Sequence, residues 1–401
     1  MTANFLSRLL WVRGLRAFAD GYVSLLLPVY LISVGFTTFE VGVIATAPLL
    51  GSGLLTLLAG LHAWRFQYRT QLILAAALMA ATGFGFAVVT EFWPLLLIAV
   101  VGTLNPSSGD VSVFLPLEHA LMSNAAADQQ RTALFARYSL VGALVAALGA
   151  LAAAAPELVA RRQLIPMETA LQAMFALYGA LGLVAGWIYS TLPKDADAIE
   201  HIPAAPLGQS KKVVFTLAAL FSLDSFGGGF VVQSLVALWL FQKFKLSIVV
   251  AGTIFFWTGV LSALSYLVAV KLANRWGLVN TMVYTHLPAN VLLVLVPFMP
   301  SLTWAVAPLM MRSALSQMDV PTRSSYVMAV VSPQERAAAA SMTAVPRSLA
   351  SAASPMLAGY LLSVSSFGWP LVIAGCLKII YDLLLLTMFR KVTPPEENAI
   401  R

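Results

Sequence analysis

The sequence predicts an all-α polytopic membrane protein, with twelve transmembrane helices in two pseudo-symmetric six-helix bundles, and three observations carry that prediction. Of its 401 residues, 60% are hydrophobic and 10% charged, whereas a soluble protein is about one-quarter charged. The apolar residues fall in runs of roughly 20 or more, the length an α-helix needs to cross the hydrocarbon layer of a bilayer. The two halves of the chain also repeat one another. Gly42 matches Gly252, Arg65 matches Arg275, and Asp110-Val111 matches Asp319-Val320, at offsets of 210, 210 and 209 residues.

The spans are expected at about 10–34, 39–62, 71–90, 94–122, 132–155, 167–192, 212–242, 247–273, 279–299, 301–331, 336–364 and 367–389. The first apolar run, Leu9–Val34, is too long for a cleaved signal peptide and leads straight into another span, so it is expected in the mature protein. Spans 2 and 3 flank the basic break at Arg65 and Arg69, spans 4 and 5 flank Arg131, and Arg161 and Arg162 precede span 6. The longest polar break, PKDADAIEHIPAAPLGQSKK, divides the chain into a first bundle at 1–192, a cytoplasmic linker at 193–211 and a second bundle at 212–401. Lys243 and Lys245 then separate spans 7 and 8, Lys271 lies in the last residues of span 8 and Arg275 just after it, and Arg336 opens span 11. With the amino terminus cytoplasmic, the inner segments hold Arg8, Arg65, Arg69, Arg131, Lys194, Lys211, Lys212, Lys271, Arg275, Arg336, Arg390, Lys391 and Arg401. The outer loops hold Arg161, Arg162, Lys243 and Lys245, which places both termini inside by the positive-inside rule.

Composition also narrows function. The net charge of +7 is spread over the ends of apolar runs instead of forming one patch for nucleic acid. The single cysteine, Cys376, excludes an intramolecular disulfide and a cysteine metal cluster, and its expected role is packing. The four histidines, His62, His119, His201 and His286, form no H-E-x-x-H metal site, and there is no G-x-S-x-G nucleophile or nucleotide-binding P-loop. Neither an enzyme nor an ATP-driven pump is expected, and no cofactor.

Between spans 2 and 3 the chain reads Gly60-Leu-His-Ala-Trp-Arg65-Phe-Gln-Tyr-Arg69, and between spans 8 and 9 Val270-Lys-Leu-Ala-Asn274-Arg275-Trp-Gly277. With the twelve spans, the central loop and the repeat, these segments resemble the major facilitator superfamily over essentially the whole chain. Of the superfamily's G-x-x-x-D-R-x-G-R-K loop the first copy keeps Arg65 but has Trp64 at the acid and Gln67 at the second glycine, and the second copy keeps Arg275 and Gly277 but has Asn274 at the acid. The resemblance implies a charge latch at the inner gate, with Arg65, Arg69, Arg275 and Gly277 as its remnants. It also implies that spans 1, 4, 7 and 10 line a central cavity.

Charged side chains are costly at bilayer depth and normally face a cavity or a partner. Asp20, Asp110, Asp224, Arg312 and Asp319 fall near the middle of those four spans. Arg13, Arg16 and Asp20 share one helical face, where Arg16 and Asp20 are close enough to pair. Asp20 is read either as a proton or substrate group or as the partner that lets Arg16 be buried, and Arg16 and Asp110 are further candidates for the same site. Asp110 with Arg137 and Asp319 with Arg347 form a repeated acid-arginine pattern, read as structural charge pairs between neighbouring helices, with Glu118 an equal partner for Arg137. Asp224 has no basic residue nearby in its own span, and Gly227–Gly229 follow it, permitting close packing or local unwinding. It is the first choice for a protonatable coupling group. Arg312 and Arg323, around Pro321, suit an anionic group or neutralise Asp319. Lys378 and Asp382, four apart, are expected to pair with each other.

The expected function is secondary active transport of a small organic solute by alternating access, as a proton-coupled exporter. A proton-coupled uptake symporter for an organic anion is the alternative, supported by Arg312 and Arg323. A membrane receptor or lipid-handling protein without transport is the reading of another class. The expected partners are the solute, protons and the lipid bilayer, with the protein a monomer. Short loops and compact length point to a bacterial inner membrane.

Overall fold

The computed structural model describes residues 2–61, 67–107, 113–125, 128–193, 207–208, 210–332 and 335–390. The helices of the first half are α1 (Thr2–Ser33), α2 (Thr38–Leu61), α3 (Tyr68–Val88), α4 (Phe92–Val101), α5 (Phe114–Ala125), α6 (Asp128–Ala152), α7 (Ala155–Arg161) and α8 (Met167–Ser190). The second half holds α9 (Lys211–Gly229), α10 (Gln233–Phe244), α11 (Ile248–Trp276), α12 (Leu278–Leu295), α13 (Leu302–Leu315), α14 (Asp319–Ala329), α15 (Arg336–Val364) and α16 (Trp369–Phe389). Among the described residues there is no strand, and nine helical stretches are long and apolar enough to cross a membrane. Their outward faces carry exposed Trp11, Trp187, Trp257 and many leucines, as a surface facing lipid requires.

Spans 4, 7 and 10 are each interrupted; in the sequence Gly227–Gly229 point to unwinding in span 7, while span 4 reads as one continuous helix. Span 4 stops at Val101, where Gly102, Asn105 and Pro106 follow. Proline lacks the N–H that a helix needs, and the Asn105 side chain takes the Ser107 backbone N–H at 3.1 Å, a local turn that competes with the helix. Span 7 breaks after Gly229, a residue pressed so closely on the Ser351 carbonyl that a Cβ would lie 2.2 Å from it. Ser354 donates to the Phe226 carbonyl at 2.6 Å, satisfying a group that the interrupted ladder leaves open. Span 10 breaks at Ser316–Met318, because Pro321 in the first turn of α14 has no N–H to reach back to residue 317. The interruptions of spans 4 and 7 meet directly. Ser234 at the start of α10 donates its N–H to the Pro106 carbonyl at 3.0 Å.

Two compact units are distinguished by their internal packing. The first comprises Met1–Glu200, Val232–Gly259 and Pro355–Ser366; the second comprises His201–Val231, Val260–Ser354 and Phe367–Arg401. Thus α10, the first turns of α11 and the last turns of α15 pack with helices of the first half. Within the first unit a Cβ on Gly42 would lie 2.7 Å from Gly359 Cα, and Glu157 of α7 accepts the N–H groups of Ile248 and Val249 at 2.6 and 3.2 Å. That carboxylate caps α11, where the helix dipole favours negative charge.

Small residues set the closest helix contacts, as expected where lipid removes the hydrophobic drive between helices. A Cβ on Gly83 of α3 would lie 2.2 Å from the Gly179 backbone nitrogen of α8. Gly83→Val therefore separates these helices and lowers stability by about 1–3 kcal/mol. Thermal unfolding in lipid nanodiscs checks this, and an unchanged melting temperature would contradict the close α3–α8 contact.

In the second unit, Glu335 before α15 holds the chain leading into α9. Its carboxylate accepts hydrogen bonds from the Ser210 hydroxyl and the Gly208 N–H, which hold it below the usual glutamate range. The contact is fully present above the ordinary glutamate pKa of about 4.3 and is lost as pH falls through the lowered folded value. Glu335→Gln mimics that acid state at neutral pH. Hydrogen exchange at Gly208, corrected for its intrinsic pH dependence, should be faster in the variant; equal protection in both proteins would remove Glu335 from this role.

Candidate functional site

Among the described residues, a buried polar group interrupts the apolar interior in each unit. In the first, Arg16 of α1 meets Glu118 of α5, with Arg13 and Asp20 of α1 close to one another beside it, and all four side chains are buried. Glu118 accepts from Arg16 and from the Tyr138 hydroxyl on one oxygen, and from the Tyr189 hydroxyl at 2.6 Å on the other. The Arg16 guanidinium also stacks 4.0 Å over the Phe114 ring, and Arg13 lies 4.8 Å from the Tyr138 ring centre. Glu118 therefore has three donors from three other helices, and two arginines balance two acids. Asp20 faces the side chains of Asn105, in the span 4 interruption, and Tyr178 of α8. One turn further along α1, Ser24 accepts from Gln233 at 3.0 Å, at the start of α10. Asp20 thus sits where broken backbone and polar side chains collect, the arrangement that discontinuous helices give to solute sites.

The second group joins α9, α12, α14 and α16. Asp224 accepts from Lys378 Nζ at 2.7 Å on Oδ1 and from Arg323 at 2.8 Å on Oδ2. Arg323 also bonds Asp319, one turn before it. His286 Nε2 lies 3.8 Å from Asp224, and its Nδ1 lies 2.9 Å from Asp382. Asn290 donates to Asp382 at 2.9 Å. All of these side chains are buried, and Phe221 and Tyr381 present their rings to Arg323 at 5.1 and 5.9 Å. Three carboxylates from three helices are held here by cations and amides, as a buried charge requires. Glycine makes the approach possible. A Cβ on Gly227 would lie 3.2 Å from Lys378 Cγ, so the lysine chain lies along a groove in α9.

The structure redraws several expected pairs. Arg16 bonds Glu118 instead of standing against Asp20 alone, because Glu118 is the carboxylate that also receives two tyrosine hydroxyls. Glu118 is therefore the partner of Arg16 and not of Arg137, which is exposed on α6. Asp319 bonds Arg323 one turn away on its own helix, the neutralisation that the sequence also allowed. Lys378 and Asp382 do not pair with each other: the lysine goes to Asp224 and the aspartate to His286 and Asn290. Asp224, expected to lack a partner, has three cationic or ionisable neighbours, all from other helices. Arg312 of α13 lies within electrostatic reach of Asp224. Asp110 and Arg65 lie outside the described residues. Arg69 donates to the Ser190 carbonyl at the end of α8, Arg275 is exposed at the end of α11, and Gly277 takes the positive φ of 84° that turns the chain into α12. Sequence reasoning missed His286, Asn290, Tyr138 and Tyr189 as site residues. The signal for the first two was a polar pair four residues apart in an otherwise apolar span.

Solved structures share this fold. The nucleoside transporter NupG aligns with 96% of this chain and 99% of its own at a TM-score of 0.71 and 15% identity. The human organic anion transporter MFSD10 aligns with 96% and 99% at 0.69 and 18%, and the xylose transporter XylE from E. coli with 98% and 99% at 0.70 and 13%. In sequence, the uncharacterized membrane protein YJR124C of Saccharomyces cerevisiae is 23% identical over 418 residues, covering 95% of this chain and 93% of that protein. The fold is that of a multi-pass secondary transporter, built for alternating access. The family model described as Major Facilitator Superfamily matches residues 9–316 and 217–401, and the chain belongs to that family.

Proposed function

We propose that this transporter exports a small organic solute in exchange for inward-moving protons. The observation that carries the reading is the buried group around Asp224, where three carboxylates and a histidine from four helices form one connected set. Histidine is the side chain whose ordinary pKa lies near neutral pH, and connected acids and bases across helices couple a proton to helix movement. The solute is assigned to the Asp20 group, whose carboxylate, Asn105, Tyr178 and the interrupted spans suit an amphipathic molecule with a cationic or hydrogen-bonding end. The basic residues support both termini on the cytoplasmic side, and short loops support a bacterial inner membrane.

A second reading, uptake of an organic anion with protons, has its own support. The buried Arg312 Nε has no hydrogen-bond partner among the described residues, and guanidinium binds carboxylates in pairs of hydrogen bonds. One of the structural relatives is an organic anion transporter.

Proteoliposomes carrying a trapped pH dye distinguish the readings, with tetraphenylphosphonium, benzoate and glucose as probes. Export coupling predicts that an outward gradient of the cation acidifies the lumen as protons enter. Benzoate-driven proton movement in the same direction as the anion selects the second reading. Solute flux with no proton signal for any probe overturns proton coupling.

A further inference from the structure

The His286 ring stands between two buried carboxylates. Its Nδ1 is 2.9 Å from Asp382 Oδ1 and its Nε2 is 3.8 Å from Asp224 Oδ1. Asn290 Nδ2 lies 3.1 Å from the same Nδ1 and 2.9 Å from Asp382 Oδ2. Nδ1 therefore faces an acceptor and a donor at once. With its proton on Nδ1 the ring donates to Asp382; with the proton on Nε2 the bare Nδ1 accepts from Asn290. A histidine held only for structure is fixed in one tautomer by the bond its other nitrogen makes, whereas both tautomers of His286 keep a partner.

The charges around the ring are also nearly matched. Asp319 acts on it from α14, Asp382 and the Tyr381 ring from α16, and Asp224 from α9; Lys378, Arg323 and Arg312 act on Asp224 from α16, α14 and α13. In direct contact, three carboxylates meet two cations, Arg323 and Lys378. One proton on the set brings those contacts into balance.

We propose that His286 relays the coupling proton between Asp382 and Asp224, and that neutralising Asp224 frees Lys378. The inference rests on the proton-coupled reading above and names its path. Protonated Asp382 gives its proton to Nδ1 while the Nε2 proton passes to Asp224. Asp382 is left as a carboxylate bonded to Nδ1–H and Asn290, the ring is neutral in its other tautomer, and Asp224 is a carboxylic acid. One proton has crossed the ring, and nothing is oxidised or reduced. The 3.8 Å gap closes by roughly 1 Å for the second transfer, within reach of a side-chain adjustment to hydrogen-bond distance. Lys378 then loses its anionic partner at 2.7 Å, while Arg323 keeps Asp319. A Cβ on Gly228 would come within 3.7 Å of Lys378 Nζ, so the glycines leave the lysine a path along α9 without a side chain in the way. The proton thereby decides whether α9 is tied to α16.

The test reads the ring and the proton separately. Protein with isotopically labelled histidine, in lipid nanodiscs, reports the tautomer and charge of each ring by NMR, and the signal lost in His286→Gln is that of His286. The expected result is a His286 tautomer that changes between about pH 5 and pH 8 and stops changing in Asp382→Asn. A single tautomer across that range in the folded wild type overturns the relay, whether or not His286→Gln folds. In the dye assay, with tetraphenylphosphonium or benzoate as the probe, His286→Gln should lose at least about tenfold in proton flux, which is about 1.4 kcal/mol. It should still exchange labelled for unlabelled solute without a pH gradient. Undiminished proton flux in His286→Gln overturns the relay and leaves proton coupling standing. A wild type that moves solute with no proton signal overturns coupling and the relay together, even where the ring changes tautomer.

Discussion

Asp224→Ala lowers the stability of this transporter by about 3–5 kcal/mol, the effect of removing one partner from a buried ion pair. The substitution leaves Lys378 and Arg323 without the carboxylate they share, in a buried site. Arg323 retains Asp319, so most of the loss falls on Lys378. Lys378→Met alone should cost less, because Asp224 keeps Arg323. The double variant, Asp224→Ala with Lys378→Met, should be more stable than the sum of the two, since it removes both ends of one pair. Thermal unfolding of the four proteins in the same nanodiscs measures this. Additive losses would mean that Lys378 and Asp224 do not interact, and the second polar group would have to be redrawn.

Glu118→Ala is expected to be comparably severe. It strands Arg16 in the first unit and leaves two buried tyrosine hydroxyls, Tyr138 and Tyr189, without their acceptor. The expected loss is about 3–5 kcal/mol for the broken pair, with the tyrosines adding to it. Glu118→Gln keeps one acceptor oxygen and should fall between the wild type and Glu118→Ala. Recovery of folded protein by fluorescence-detected size exclusion and the melting temperature rank the three. A Glu118→Gln protein as stable as the wild type would show that the charge on Glu118 is dispensable and that its hydrogen bonds alone hold α1, α6 and α8.

The span positions were legible because hydrophobicity is averaged over some 20 residues, and such averages survive local detail. The interruptions were less legible for the same reason. Gly102, Asn105 and Pro106 carry turn chemistry, but the window that finds a span smooths over five residues. The charge pairs were the hardest to read. Asp224 finds Lys378 and Arg323 at sequence separations of 154 and 99, whereas sequence spacing shows only neighbours three or four residues away on one helix. Lys378 and Asp382 have that spacing and still pair elsewhere, because Asp224 and His286 offer each of them a partner across a helix contact. Asp319 is the opposite case. Its bond to Arg323, one turn away on the same helix, is of the kind that sequence spacing does show.

The composition of the first unit bears on how the protein is made. Its pieces at Val232–Gly259 and Pro355–Ser366 leave the ribosome after the whole of the first half. At about 5–20 residues per second, the stretch from Glu200 to Pro355 takes roughly 10–30 s to synthesise. For that interval Gly42 lacks Gly359, and until Ile248 arrives Glu157 has no helix to cap. The nascent first half must therefore wait in the bilayer with its Glu118 group already paired but without these later contacts, an intermediate on which the insertion machinery and membrane proteases can act.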